Sequence, residues 1–389
     1  MTLVFCDASI RVNLVPAGTG QFYLVASTSP GTHAERAAES IYRVIVDQLI
    51  LNSAEVVHER IFGSLNVAAK VLGGRQNLLA DKCLAPVPPT YVEGAPPWGT
   101  GLAGVMVQAV SPGATQSGVQ TMAERSRPVG RRWSRDGVQQ LVFQGLDGIA
   151  PGAEDPDGSV GAEIETLFDR IECLLDLHGA TLGDVTRTWF YLDDILALYA
   201  TFNRVRNARY SSRGLLQHSP STALLPASTG IGGKSSGKAR VVADVLATRS
   251  ASGANVQRLD NTTQQEPTNY GSSFCRAATV RAHGRTTIQL SGTAAIGVAG
   301  ESLYPGDVEM QIDCTLTHVS SLLATQGATL SDMASATMFL KQPKHAQVLA
   351  EQLRRRGLEK LPYVVVVADV CRDELLFELD AEVLVPELE

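Results

Sequence analysis

Cysteine is scarce and unpatterned in this chain of 389 residues. Cys6, Cys83, Cys173, Cys275, Cys314 and Cys371 show no C-x-x-C spacing. Their scatter speaks against a zinc ribbon or a disulfide framework and reads as free thiols in a reducing compartment. Histidine is equally dispersed, its seven residues forming no H-x-x-x-H pair. No metal, no cofactor and no catalytic triad is expected. Lys and Arg gather into no polybasic run, and the formal net charge is -7. No nucleic-acid partner is therefore expected, although a local Arg/Lys pocket could still hold an anionic small substrate. No uncharged apolar run approaches the ~18 residues of a membrane span. The start, Met1-Thr-Leu-Val-Phe-Cys-Asp7, lacks the basic-then-apolar order of a signal peptide. A soluble, cytoplasmic protein without a membrane partner is the expectation.

What is present is repetition. The composition, 44% hydrophobic and 19% charged, is that of an ordinary globular protein. At roughly 150 residues per domain the length suggests two or three units. Gly179-Ala-Thr-Leu-Gly-Asp184 recurs as Gly327-Ala-Thr-Leu-Ser-Asp332, an offset of 148 (327 minus 179). The preceding segments match at the same offset: Ile164, Phe168, Ile171, Leu174 and Leu175 against Ile312, Leu316, Val319, Leu322 and Leu323. That i, i+4, i+7, i+10, i+11 stripe is the core face of an amphipathic helix. Short apolar strands ending at Gly145 and Gly292 precede these helices. Further strands follow at Thr186–Leu192 and Ala334–Leu340, with closing strands at Ala239–Leu246 and Leu375–Leu384.

The first third keeps the element order with weaker identity. Phe22–Ser27, Glu55–Gly63 and Gly104–Val110 read as strands, His33–Asn52 as a helix and Asn66–Leu72 as a short one. Ser111–Arg135 and Arg249–Asn269, rich in polar residues, Gly and Pro, read as connectors. The expected fold is α/β (α+β): three tandem βαβ units at 1–120, 121–250 and 265–389, with mixed sheets and helices outside. Strand–helix–strand order implies parallel pairing through right-handed crossovers. Three such sheets can bury their other faces against one another around a pseudo-threefold axis, a fused trimer in a monomeric chain.

These features resemble the RidA/YjgF family, whose members form trimers with active sites between subunits. The resemblance runs from about Val138 to Leu384 and more loosely over the first third. The family's imine deaminases hold the substrate carboxylate with an Arg in a Pro-x-Arg-Ser segment. The corresponding segments here, Ser219-Pro-Ser-Thr222 and Leu361-Pro-Tyr-Val364, contain no Arg, which disfavours that chemistry. A narrower resemblance is to the chorismatase family, which shares the fold and removes pyruvate from chorismate. Four segments carry it in order: Pro88–Gly94, Arg187–Asp194, Leu225–Gly233 and Ala368–Glu378. It implies that Glu378 is the acid. It also implies that Cys371 marks the branch making 3-hydroxybenzoate, where the hydrolytic branch carries Ala. The alternatives are a hydrolytic enzyme giving a dihydroxycyclohexadiene carboxylate, a mixed 3-/4-hydroxybenzoate synthase, or a non-catalytic binder of small carboxylates.

Read without the resemblance, Glu378 is a solvated edge-strand carboxylate and Cys371 a small buried hydrophobe. In an apolar cleft Glu378 would hold its proton near neutrality and could protonate an enolpyruvyl methylene. Arg372 could lower the Cys371 thiol pKa. Glu378 shares a strand face with Leu376, Asp380 and Glu382, and a repeat alignment places Arg240 opposite it. A dianionic substrate needs cationic donors, for which Arg187, Arg209, Arg240 and Lys341 are candidates. The Gly-rich turn through Thr229, Gly230, Ile231 and Gly232 could form an anion nest, without Walker A spacing. Tyr191 and Tyr210 could line a ring pocket, and Thr293 follows the Ser-Gly turn of the last repeat.

Overall fold

The computed structural model describes residues 1–80, 82, 84, 87–149, 158–216, 224–250, 256–282 and 285–385. Cys83 and the 219–222 segment lie outside the described residues. The first sheet comprises β1 (Thr2–Cys6), β2 (Ile10–Pro16), β3 (Gln21–Thr28), β4 (Glu55–Gly63), β5 (Thr90–Glu93) and β6 (Leu102–Val110), with α1 (Ala34–Leu51) and α2 (Leu65–Ala80). The second comprises β7 (Gln120–Glu124), β8 (Arg127–Arg135), β9 (Val138–Asp147), β10 (Val185–Leu192), β11 (Ala227–Gly232) and β12 (Val241–Ser250), with α3 (Val160–Leu177) and α4 (Ile195–Ser212). The third comprises β13 (Val256–Leu259), β14 (Ala277–Ala282), β15 (Arg285–Ala294), β16 (Met333–Leu340), β17 (Tyr363–Val367) and β18 (Phe377–Leu384), with α5 (Val308–Ala324) and α6 (Ala346–Arg355).

All three sheets have one topology: β1-β2-β3-β6-β4-β5, β7-β8-β9-β12-β10-β11 and β13-β14-β15-β18-β16-β17. This is the tandem α/β pseudo-trimer of mixed sheets, one six-stranded unit used three times. The expected direct parallel pairing across the long helices is corrected. β12 inserts between β9 and β10, antiparallel to both, and the parallel ladder is the edge pair β10/β11. The presumed connectors are corrected too. Ser111–Arg135 contains β7 and β8, and Arg249–Asn269 contains β13. These are outer strands, half-exposed on one side, so their polar residues mimic a linker. α2 runs on through Gly73 and Gly74 because Arg75 and Leu79 of its last turns are buried.

The repeated Gly-Ala-Thr-Leu-x-Asp is a turn device. Gly179 and Gly327, at φ 70° and 69°, stop α3 and α5 in a left-handed conformation open to glycine. Asp184 then accepts from the Thr181 backbone N–H (2.8 Å) and hydroxyl (2.9 Å), and Asp332 does the same for Thr329. The chain is thereby aimed into β10 and β16.

Each sheet packs one face on its helices and turns the other to a shared central core. A bulge in each central ladder, at Val56/His58, Val185/Arg187 and Met333/Ser335, sets the correspondence between units. By it Phe62, Tyr191 and Phe339 are equivalent, and they meet at the centre, Phe62 lying 6.2 Å from Tyr191 and 6.3 Å from Phe339 between ring centroids. The same correspondence sets Val242, not Arg240, at the position of Glu378, a correction of two residues that the bulge imposes. Among the described residues no helix is long and apolar enough to cross a membrane.

Candidate active site

A cavity of about 360 Å³ lies between the second and third sheets. α4 supplies Leu196, Tyr199, Asn203 and Arg206, β11 supplies Ser228 and Gly230, and β15 supplies Gly292 and Ala294. The stretch after β13 supplies Tyr270, Ser272, Phe274 and Arg276, and Cys371, Arg372 and Glu378 complete the wall.

Glu378 is placed there by strand alternation. In β18, Phe377, Leu379, Ala381 and Val383 enter the helix-side core, so Glu378, Asp380 and Glu382 face the opposite way. β18 is central rather than an edge, and Glu378 is only 4% exposed. A β-carbon on Gly292 would collide with the Glu378 carboxyl, so the carboxyl occupies space that only glycine leaves open. Among the described residues no hydrogen-bond donor serves it. Burial, then the neighbouring Asp380 carboxylate, push Glu378 up to about 8, while Arg187 and Arg276 oppose the shift. At neutral pH the group is predominantly the protonated acid.

Behind the acid is a buried network. Asp380 accepts from Arg187 (3.0 Å) and from the Thr229 hydroxyl (2.8 Å), and the Thr229 hydroxyl accepts from the Gly292 N–H (3.1 Å). Arg187 is 1% exposed and stacks over Trp189 at 4.4 Å.

Two buried guanidinium groups line the cavity, besides the partly exposed Arg372. Arg206 donates to Asn203 (2.6 Å), Arg276 donates to the Tyr270 hydroxyl (3.1 Å) and the Gln265 carbonyl, and the Nε of each is buried without a partner. Neither pairs with a carboxylate among the described residues. Both are at most 2% exposed. Two buried cations with free donors are a receptor for anionic oxygen.

Cys371 is half-buried beside the acid. Burial and then Glu378 push its thiol up to about 12. Arg372 opposes this too weakly, so the expected lowering by Arg372 is corrected: the thiol is neutral. Arg372 lies over the Tyr270 ring at 5.3 Å and donates to the Gly300 carbonyl (2.7 Å).

The other residues named from sequence disperse. Arg209 pairs with Asp169 and Glu172, Arg240 with Glu163, and Lys341 with Asp369 and Asp373. None of the three lines the cavity. Tyr210 packs on Phe168 in the helix-side core, and Tyr191 sits at the molecular centre. Thr293 points away from the cavity that its neighbours Gly292 and Ala294 line, and donates to the Ser291 carbonyl. The expected Gly-rich turn is corrected: Thr229 to Gly232 lie in strand β11, where Gly230 reaches the wall, Ile231 enters the central core and Gly232 packs on Asp369. Sequence reasoning missed Arg206, Arg276, Tyr199 and Tyr270. Nothing local marks them: the hydrogen-bond partners of the two arginines are neutral groups, and the cavity all four line forms only between units.

No protein-family model matches the chain, and no curated protein matches it. Solved structures do. A chorismatase crystal structure superposes with a TM-score of 0.60 at 20% identity, over 85% of this chain and 93% of that one. This shows the fold. Single-unit structures align with about a third of the chain. A putative endoribonuclease from Thermotoga maritima matches at 19% identity, over 34% of this chain and 98% of its own (TM-score 0.28). A member of the YjgF/YER057c/UK114 family from Mycobacterium tuberculosis matches at 18%, over 32% and 98% (TM-score 0.25).

Proposed function

We propose that the chain is a chorismatase, releasing pyruvate from chorismate with Glu378 as the acid. One observation carries the reading: a buried carboxylic acid, protonated at neutral pH, shares a cavity with two buried guanidinium groups that lack carboxylate partners among the described residues. The similarity to a chorismatase structure supports it. Chorismate is a dianion with an acid-labile enolpyruvyl ether, so it needs two cationic subsites and one proton donor.

In this reading Arg206 and Arg276 bind the two carboxylates, and Tyr199 and Tyr270 flank the ring. Glu378 delivers its proton to the enolpyruvyl methylene. The oxocarbenium-like centre that forms weakens the ether, and burial keeps bulk water from competing. Having lost its proton, Glu378 is the base beside the neutral Cys371 thiol.

We assign the product as 3-hydroxybenzoate. Chorismate then divides into 3-hydroxybenzoate and pyruvate with no net water, whereas the diol route consumes one water. Cys371, on the cavity wall, is the group placed to steer the ring toward the aromatic acid.

Incubation with chorismate and identification of both products tests this. Pyruvate and 3-hydroxybenzoate are expected, with turnover falling about 100-fold or more in Glu378→Gln. Cys371→Ala should move the product to the diol. Untouched chorismate sinks the reading, while an unchanged product in Cys371→Ala removes only the steering role.

A further inference from the structure

The cavity has a counterpart at the junction of the first and third sheets. There α6 presents Ala346, Leu349, Ala350 and Leu353 to a second cavity of about 170 Å³. The spacing is that with which α4 presents Leu196, Tyr199, Ala200 and Asn203 to the first. The ladders agree. Trp189 pairs with Thr229, and Thr337, 148 residues on, pairs with Val364. Ser228 and Gly230 of the first wall therefore correspond to Tyr363 and Val365 of the second. At the position of the acid stands Gly104, paired with Phe62 as Glu378 is with Phe339, and Val364 packs onto it.

The second cavity has thus exchanged polar walls for apolar ones and has no acid, yet it retains a cation. Arg11 lines it and donates to the carbonyls of Glu359 (2.9 Å) and Lys360 (2.8 Å), while its Nε is buried without a partner. No carboxylate pairs with Arg11 among the described residues. Trp98, 39% exposed, forms part of the rim. An apolar cavity of ~150 Å³ is large enough to admit benzene. An aromatic ring against apolar walls and one negative charge toward Arg11 would satisfy this lining.

We propose that this cleft is a second, non-catalytic site for a small aromatic monocarboxylate. It stands on the cavity's own lining and does not depend on the chorismate reading.

The test is a titration of benzoate into the full chain, followed by tryptophan emission and by calorimetry. Trp98 is the reporter, since Trp133 and Trp189 are 1% and 2% exposed. Saturable binding is expected with a Kd on the order of 1 mM or tighter. Neutral benzamide, and benzoate with Arg11→Gln, should bind about tenfold more weakly or worse, the loss of one charge-assisted contact. Arg11 also ties down the 359–360 turn, so Ala350→Phe, which fills the cavity, is the second variant and should abolish binding. Glu378→Gln should bind normally. Absence of both an emission change and heat overturns the proposal. So does binding that survives Ala350→Phe, or that is lost in Arg276→Gln, which would place benzoate in the first cavity.

Discussion

A carboxyl group loses hydration when it is buried, and ionisation makes that loss far larger. Glu378 meets this condition twice over, through burial and through the Asp380 charge beside it. Two consequences follow, in different pH windows. For catalysis, the acid form is the working form, so kcat/KM should be level near neutrality and fall as pH rises through about 8. For stability, folding raises the group's pKa, so the folded state retains a proton that the unfolded chain has already released. Stability must then fall as pH rises from the ordinary carboxyl range to about 8, and level off above. Glu378→Gln carries no such charge. Its unfolding midpoint relative to the parent should be higher at about pH 9 than at about pH 5, despite the loss of turnover. Calorimetric scans at the two pH values decide it. A constant difference would mean that Glu378 does not titrate in that window.

At the scale of elements, the acid depends on an irregularity in the strand beside it. The β15/β18 ladder shifts register between Leu290 and Thr293, and Gly292 lies within that shift, open toward the carboxyl. Gly292→Ala should therefore cut activity by about tenfold or more while costing about 1–3 kcal/mol of stability, the usual range for overpacking. Retained activity would mean that the carboxyl has room to move. The register of the repeats was legible in sequence because it is local: a helix stripe, a glycine stop and a Thr–Asp turn lie within some 20 residues of one another. α4 was not legible in the same way. Its buried residues include Arg206, and its other pocket residues face a cleft rather than a core. Such a helix carries no clean apolar stripe. The cations illustrate the same limit. Arg209, Arg240 and Lys341 each meet carboxylates, as Arg187 meets Asp380, whereas Arg206 and Arg276 do not. Three of those pairs form within one unit, but the bonds Arg209–Glu172, Arg240–Glu163 and Lys341–Asp373 span 32 to 77 positions, so neighbouring sequence does not report which arginines stay unpaired.

At the scale of the molecule, each unit's closing strand reaches back onto the unit before it, and the three junctions are unequal. Asp380 of β18 binds Arg187 and Thr229, and Asp244 of β12 likewise binds His58 (2.8 Å) and Thr90. In the third junction the equivalent residue is Met106, met by the Thr337 hydroxyl at 3.4 Å. All three inner faces are covered within one chain, so sedimentation should give a monomer of 41.4 kDa. The aspartates then separate structure from chemistry. Both pin a junction, but only Asp380 has an acid beside it, since the middle unit carries Val242 at the position of Glu378. Asp244→Asn and Asp380→Asn should each lower the unfolding midpoint. The Asp380 change should cost about 3–5 kcal/mol, because Arg187 is left buried without its counter-charge. Their pH profiles should differ. Removing the Asp380 charge takes away part of what raises Glu378, so the alkaline limb of kcat/KM should move to lower pH in Asp380→Asn and stay in place in Asp244→Asn. Equal movement in both variants would mean that the proton on Glu378 is governed by the stability of the whole assembly rather than by its neighbour.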